Sequence, residues 1–179
     1  MDCPTDPAVD VIVAYSSAMR EAFSPDGRCP PVAGSNDVRF VAGEGPALVA
    51  FDVHTRRGNK CAEPFLWVRL ARRFRTDKSR AFIQPVLDTN ANCGAAPRVV
   101  AIEVGVARCS VAVNERASWD DYEREAQQAL DDSWRLELAM CRAQSKLQAL
   151  HHDVATDVIN PAGPDGGVIA WVANAYVRL

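Results

Sequence analysis

His151 and His152, followed by Asp153, are the one group in this chain whose types and spacing suggest a metal site. Adjacent histidines in a strand point to opposite faces, and on a helix they sit about 100° apart. A third ligand at useful spacing is missing, so the group reads as the surface end of a helix, where two imidazoles suit the helix dipole. Nucleophilic catalysis finds no G-x-S-x-G elbow to raise a serine. Gly43-Glu44-Gly45 lacks the continuation of either common phosphate-binding loop and reads as a turn before a strand. The paired carboxylates Asp120-Asp121 and Asp131-Asp132 are expected on a solvated helix face. With no identifiable nucleophile, base or cofactor loop, neither an enzyme nor a bound metal or cofactor is expected.

A basic cluster is the stronger feature. Arg69, Arg72, Arg73, Arg75, Lys78 and Arg80 fall within twelve residues, with Trp67 and Phe74 interleaved. One reading makes them phosphate contacts with aromatic support. The other makes them a solvent-facing strand end and loop that pairs with acidic groups of a neighbour. The chain carries a net charge of −3, which disfavours nucleic acid or an anionic membrane as a bulk partner. A local cluster in an acidic chain fits a contact between subunits or a pore lining.

These residues must be positioned by a fold of 179 residues, 48% hydrophobic and 24% charged, the mix of a single domain with its own core. No apolar run approaches the ~20 residues that span a bilayer. The N-terminus, with Asp2 and Asp6 and no basic start, lacks the pattern of a secretory signal. The six cysteines are therefore expected as reduced thiols. Cys109 and Cys141 are read as small buried apolar groups, and Cys3, Cys29, Cys61 and Cys93 as loop residues with no C-x-x-C pair.

Pro7 suits the first turn of a helix through Phe23, stopped by Pro25-Asp26-Gly27. Cys29-Pro30-Pro31 keeps the following segment extended. Ala47, Val49, Phe51 and Val53 alternate with their neighbours and predict a strand. A polar turn at 56–60 would then lead to a return strand at Phe65–Ala71, closing a hairpin. Residues 88–97 read as a loop. Arg98 to Val113 is a long strand, with Val100, Ile102, Val104 and Val106 on the face toward the core.

Ser118 offers a helix N-cap, with Asp121 as capping-box partner. Tyr122, Ala126, Ala129, Ser133, Leu136, Met140, Ala143 and Leu147 form the apolar stripe of that helix, and Trp119, Leu130 and Cys141 flank it to make a wide buried face. On the same wheel Glu137 falls among apolar side chains, or reaches the rim. Leu138 falls among polar ones beside Trp134, where the two could form a subunit contact. A turn at Gly163–Gly167 feeds a closing strand from Val168 to Leu179. The order α-β-β-β-α-β, with long helices on a mostly antiparallel sheet, predicts an α+β domain spanning residues 1–179.

With these segments laid out, the chain resembles the head-to-tail connector and tail-terminator proteins of long-tailed actinobacterial phages. The resemblance rests on five places: the end of the first helix at Pro25–Pro31, Gly45 to Asp52, Phe65 to Leu70, Glu103 to Cys109, and Gly163–Gly167 with the closing strand. It implies a virion structural protein assembled in the bacterial cytoplasm. Such a protein would form a ring, usually six-fold, at the head–tail junction. Its partners would be further copies of itself, the major tail tube protein and a neck or stopper protein, with phage DNA passing through the lumen. A terminator caps the tail tube, whereas a neck adaptor or stopper sits nearer the portal. A less favoured reading is a DNA-binding accessory protein using the Arg69–Arg80 segment. The candidate subunit-contact residues are Trp134, Leu138, Arg69, Arg72, Arg73 and Arg75.

Overall fold

The structure is a computed structural model that describes residues 5–43, 48–56, 61, 63–77, 83, 85, 96–111 and 117–179. The elements are α1 (Ala8–Phe23), β1 (Val38–Val41), α2 (Leu48–Arg56), β2 (Phe65–Arg75), β3 (Arg98–Cys109), α3 (Trp119–Ala149), β4 (Val154–Thr156), β5 (Asn160–Asp165) and β6 (Val168–Arg178). They form the expected α+β fold. One sheet runs β1-β2-β3-β6-β4, with β5 also paired to β6. Only β1 and β2 are parallel; the other pairs are antiparallel.

The face of β3 carrying Val100, Ile102, Val104 and Val106 is the one expected to meet the core, and it does. With Leu66, Val68, Ala173, Ala175 and Val177 it lies beneath α1 and α3. α1 contributes Val11, Tyr15, Met19 and Phe23, and α3 contributes Leu136, Met140, Ala143 and Leu147. Each fully buried large apolar side chain stabilises by about 1.5–3 kcal/mol, so this layer holds both helices in place. α1 packs over β1 and β2, and α3 over β3 and β6. The capping box forms as expected: the Asp121 amide donates to Ser118 Oγ at 3.3 Å and the Ser118 amide to Asp121 Oδ2 at 2.8 Å.

Two expectations about the segment before β2 fail. Residues 47–53 were read as a strand, but Leu48–Arg56 is a helix. Helical spacing puts Phe51 and His54 one turn apart, both against Phe65, at 6.3 and 5.5 Å between ring centroids. Asp52 and Arg56 make an i,i+4 ion pair at 2.6 Å. The strand beside β2 is instead β1, in parallel register from Val38↔Leu66 to Val41↔Arg69. The predicted turn at 56–60 lies largely outside the described residues, as do Lys78, Arg80 and nearly all of the 88–97 loop.

The second face of the sheet carries a smaller cluster of Phe51, Phe65, Trp67, Ala107 and Ala170 beneath α2. There the expectation of reduced thiols is corrected, because Cys61 is disulfide-bonded to Cys109. The α2–β2 connection brings Cys61 to the end of β3, with Cα atoms 5.3 Å apart, inside the bridging range. Cys141, expected to be buried, is exposed and free, as is Cys29. Cys3 and Cys93 lie outside the described residues.

α1 is tied at both ends by ion pairs. Asp6 meets Arg73 of β2, and Glu21 lies 2.5 Å from Lys146 of α3. The hydrogen bond from Arg73 holds the Asp6 carboxyl below its ordinary value of 3.8, and that from Lys146 holds Glu21 below 4.5. The folded state thus binds these protons less tightly than the unfolded chain. Their stabilisation is present above those ordinary values and is lost as pH falls through the lower folded ones. Urea midpoints at pH 6 and pH 3 are expected to drop more for the parent chain than for an Asp6→Asn/Glu21→Gln double variant. An equal drop would assign the acid sensitivity elsewhere.

Candidate assembly surface

The six residues singled out from the sequence do not form one surface. A bulge between Leu70 and Arg72 shifts the register of β2 against β3. Before it Arg69 pairs with Glu103, and after it Arg72 pairs with Ala101, so both point to the α2 side of the sheet. Arg73 and Arg75, opposite Val100 and Arg98, point to the helix side. The cluster read as one solvent-facing strand end is therefore split between two faces.

Arg69 is not solvent-facing. It is buried, with Nη2 on Glu103 Oε2 and Nη1 donating to the Gly43 carbonyl at 2.6 Å. Trp67 Nε1 donates to the other Glu103 oxygen at 3.0 Å. Arg73 is occupied by Asp6, and half-buried Arg75 donates to the Ala96 carbonyl at 3.1 Å. Among the described residues only Arg72 of this cluster makes no ion pair or hydrogen bond. Its guanidinium lies 5.2 Å from the Phe74 ring centroid and 6.0 Å from that of Tyr176. The described part of the cluster thus leaves little charge free for a phosphate backbone.

Asp132 also departs from expectation. It is buried, and Arg108 holds it with two bonds, Nε to Oδ2 at 2.5 Å and Nη2 to Oδ1 at 2.6 Å. Burial pushes this carboxyl up, against the pull of the guanidinium. Asp131 lies on the adjoining side and accepts from the Val32 amide at 3.0 Å. Arg135 donates to the Cys29 and Pro30 carbonyls at 2.7 and 3.2 Å. Leu138 follows Asp131 and Arg135 at i, i+4, i+7, the side along which this segment is tied, and it is half-buried rather than exposed. Glu137 is exposed, because the covered arc of α3 runs through Asp132, Leu136, Ala139 and Ala143 and leaves it outside.

Among the described residues a line of exposed apolar side chains lies at the start of α3. No side chain from 119 to 131 is buried, a length of about 20 Å at the helical rise. Trp119, Tyr122, Leu130 and Trp134 nonetheless repeat along one side at steps of three, eight and four. Trp119 is 88% exposed, Leu130 72% and Trp134 54%. Leu130 and Trp134 meet Ile159 and Trp171 across a groove of about 700 Å³, rimmed by Gln127 and Glu137. The exposure of Trp134 was legible in the sequence. That of its companions was not: Trp119, Tyr122 and Leu130, expected on the buried face, are instead exposed because the first turns of α3 extend past the sheet-facing core, and Ile159 and Trp171 come from the far end of the chain.

His151 and His152 follow the end of α3, as expected. His152 Nδ1 lies 3.0 Å from the Arg178 carbonyl oxygen, to which it donates. Among the described residues no group of three His, Cys, Asp or Glu side chains is placed to hold a metal. No described helix is long and apolar enough to cross a membrane. Comparison with family models and with curated proteins finds no match.

Proposed function

We propose that this chain is a structural subunit that assembles with further copies of itself into a closed ring at the head–tail junction of a long-tailed phage. In this reading it caps the tail tube and presents a surface to the neck, as the resemblance of its five segments implies. The observation that supports self-assembly is the uncovered line of Trp119, Tyr122, Leu130 and Trp134 on α3. Large side chains at helical spacing that the described residues leave half or more exposed to water, or close to half, are suited to a partner that covers them. A position on the head side of the neck would use the same contact and differ only in its neighbours. The reading as a DNA-binding accessory protein loses ground, since Arg69 is buried on Glu103 and half-buried Arg75 is bonded to the Ala96 carbonyl.

The purified chain is expected to sediment as one discrete closed oligomer. Trp134→Asp is expected to sediment as a folded monomer, because removing a half-exposed side chain leaves the core intact. An unchanged oligomer mass in that variant would take the α3 line out of the assembly.

A further inference from the structure

The two edges of the sheet expose different side chains, and the inference drawn from them rests on the self-assembly reading and deepens it. At the β1 edge, Phe40 sits opposite Val68, a residue of the core beneath the helices, and so lies on the helix side. It is 61% exposed. Its neighbour Arg39 sits opposite Trp67 and lies on the α2 side.

The opposite edge, formed by β4, β5 and β6, shows the complement on the same two sides. On the helix side is the groove of Leu130, Trp134, Ile159 and Trp171, with Trp171 opposite Val106 of the main core. On the α2 side is Asp157, whose amide donates to the Asn174 carbonyl at 2.9 Å. Its carboxylate accepts from the Tyr176 hydroxyl at 3.3 Å, and among the described residues it meets no cation. Asn174 and Tyr176 sit opposite Glu103 and Ala101, on the α2 side.

We infer that Phe40 of one copy enters the groove of the next while Arg39 of that copy pairs with Asp157. Two sheets meeting edge to edge with their helix layers on the same side put Phe40 on the side of the groove and Arg39 on the side of Asp157. Arg39 is held in the single chain by Asp37 at 2.5 Å, with both side chains about half exposed. An ion pair that exposed is weak and is readily exchanged for another. Strand addition does not supply the contact, because β1 has four residues and Pro161 and Pro164 remove amide donors from β5. Plug and socket lie at opposite edges of one molecule, so the contact is head-to-tail and propagates until it closes.

The test uses the full chain, by sedimentation and native mass spectrometry. Phe40→Asp alone and Leu130→Asp alone are each expected to be monomeric, with unchanged circular dichroism and melting midpoint, since both positions are exposed. Mixed together, they retain one intact plug and one intact socket and are expected to form a one-to-one dimer and nothing larger. Arg39→Asp and Asp157→Arg are each expected to weaken assembly about tenfold, and the two in one chain to restore it. If the parent chain is monomeric at high concentration, the self-assembly reading itself fails. If the parent forms oligomers that Phe40→Asp and Leu130→Asp leave intact, only this contact is overturned. A mixture of the two monomeric variants that yields no dimer would overturn it equally.

Discussion

Replacing Arg108 with leucine is expected to cost about 3–5 kcal/mol of folding stability, because it leaves the Asp132 carboxylate buried without its partner. The loss also removes the bond from Arg108 Nη2 to the Ala33 carbonyl at 2.7 Å, which anchors the segment entering β1. A buried ion pair need not be strongly stabilising overall, since desolvation offsets most of the attraction. The informative comparison is therefore with Arg108→Leu/Asp132→Leu, which removes both charges and is expected to recover most of the loss. Urea denaturation of the two variants makes the measurement. A single variant within about 1 kcal/mol of the parent would show that Asp132 finds water or another partner. The pair has a functional consequence as well. It fixes α3 at the point where its buried face begins, and so sets the distance between Leu130 and Trp134 on the helix and Trp171 on the sheet.

Glu103→Ala is expected to cost a similar amount, about 3–5 kcal/mol, on the opposite side of the sheet. It would leave buried Arg69 uncompensated and the Trp67 Nε1 donor without an acceptor. Trp67 is held from below by the absence of a side chain at Gly105, where an added Cβ would lie 2.2 Å from the indole ring. Glu103 and Gly105 thus act on the same tryptophan, one through a hydrogen bond and the other by making room. Arg69→Glu should likewise lower stability, and any fall in assembly should follow the fraction unfolded. If Arg69→Glu stays fully folded and only assembly is lost, Arg69 contacts a neighbour after all.

What was legible in the sequence follows the strength of the local signal. The helix at 119–149 has a cap, a long stripe and no breaker, and β3 and β6 are runs of small and branched apolar residues. Those elements, and the α+β class, could be read directly. Leu48–Arg56 could not, since LVAFDVHTR carries apolar residues at both parities and its Asp52–Arg56 spacing was the helical signal available. β1 is four residues long and pairs in parallel with a strand more than twenty positions away, which leaves no local trace.

The candidate contact residues divide along the same line. Trp134 was visible beside Leu138, the residue that breaks the helix wheel, although Leu138 itself is half-buried. The fate of the arginines depended on one bulge at Leu70/Arg72, which reverses facing for every residue after it. The groove partners Ile159 and Trp171 with Asp157 beside them, and Phe40 and Arg39 at the opposite edge, become related only when the sheet order β1-β2-β3-β6-β4 is known.

As proposed, the protein is a ring-forming component of the head–tail junction. The most direct measurement is electron microscopy of lysates from a phage lacking this gene. The account predicts tails of abnormal, excessive length beside DNA-filled heads without tails. Fully normal virions would contradict it.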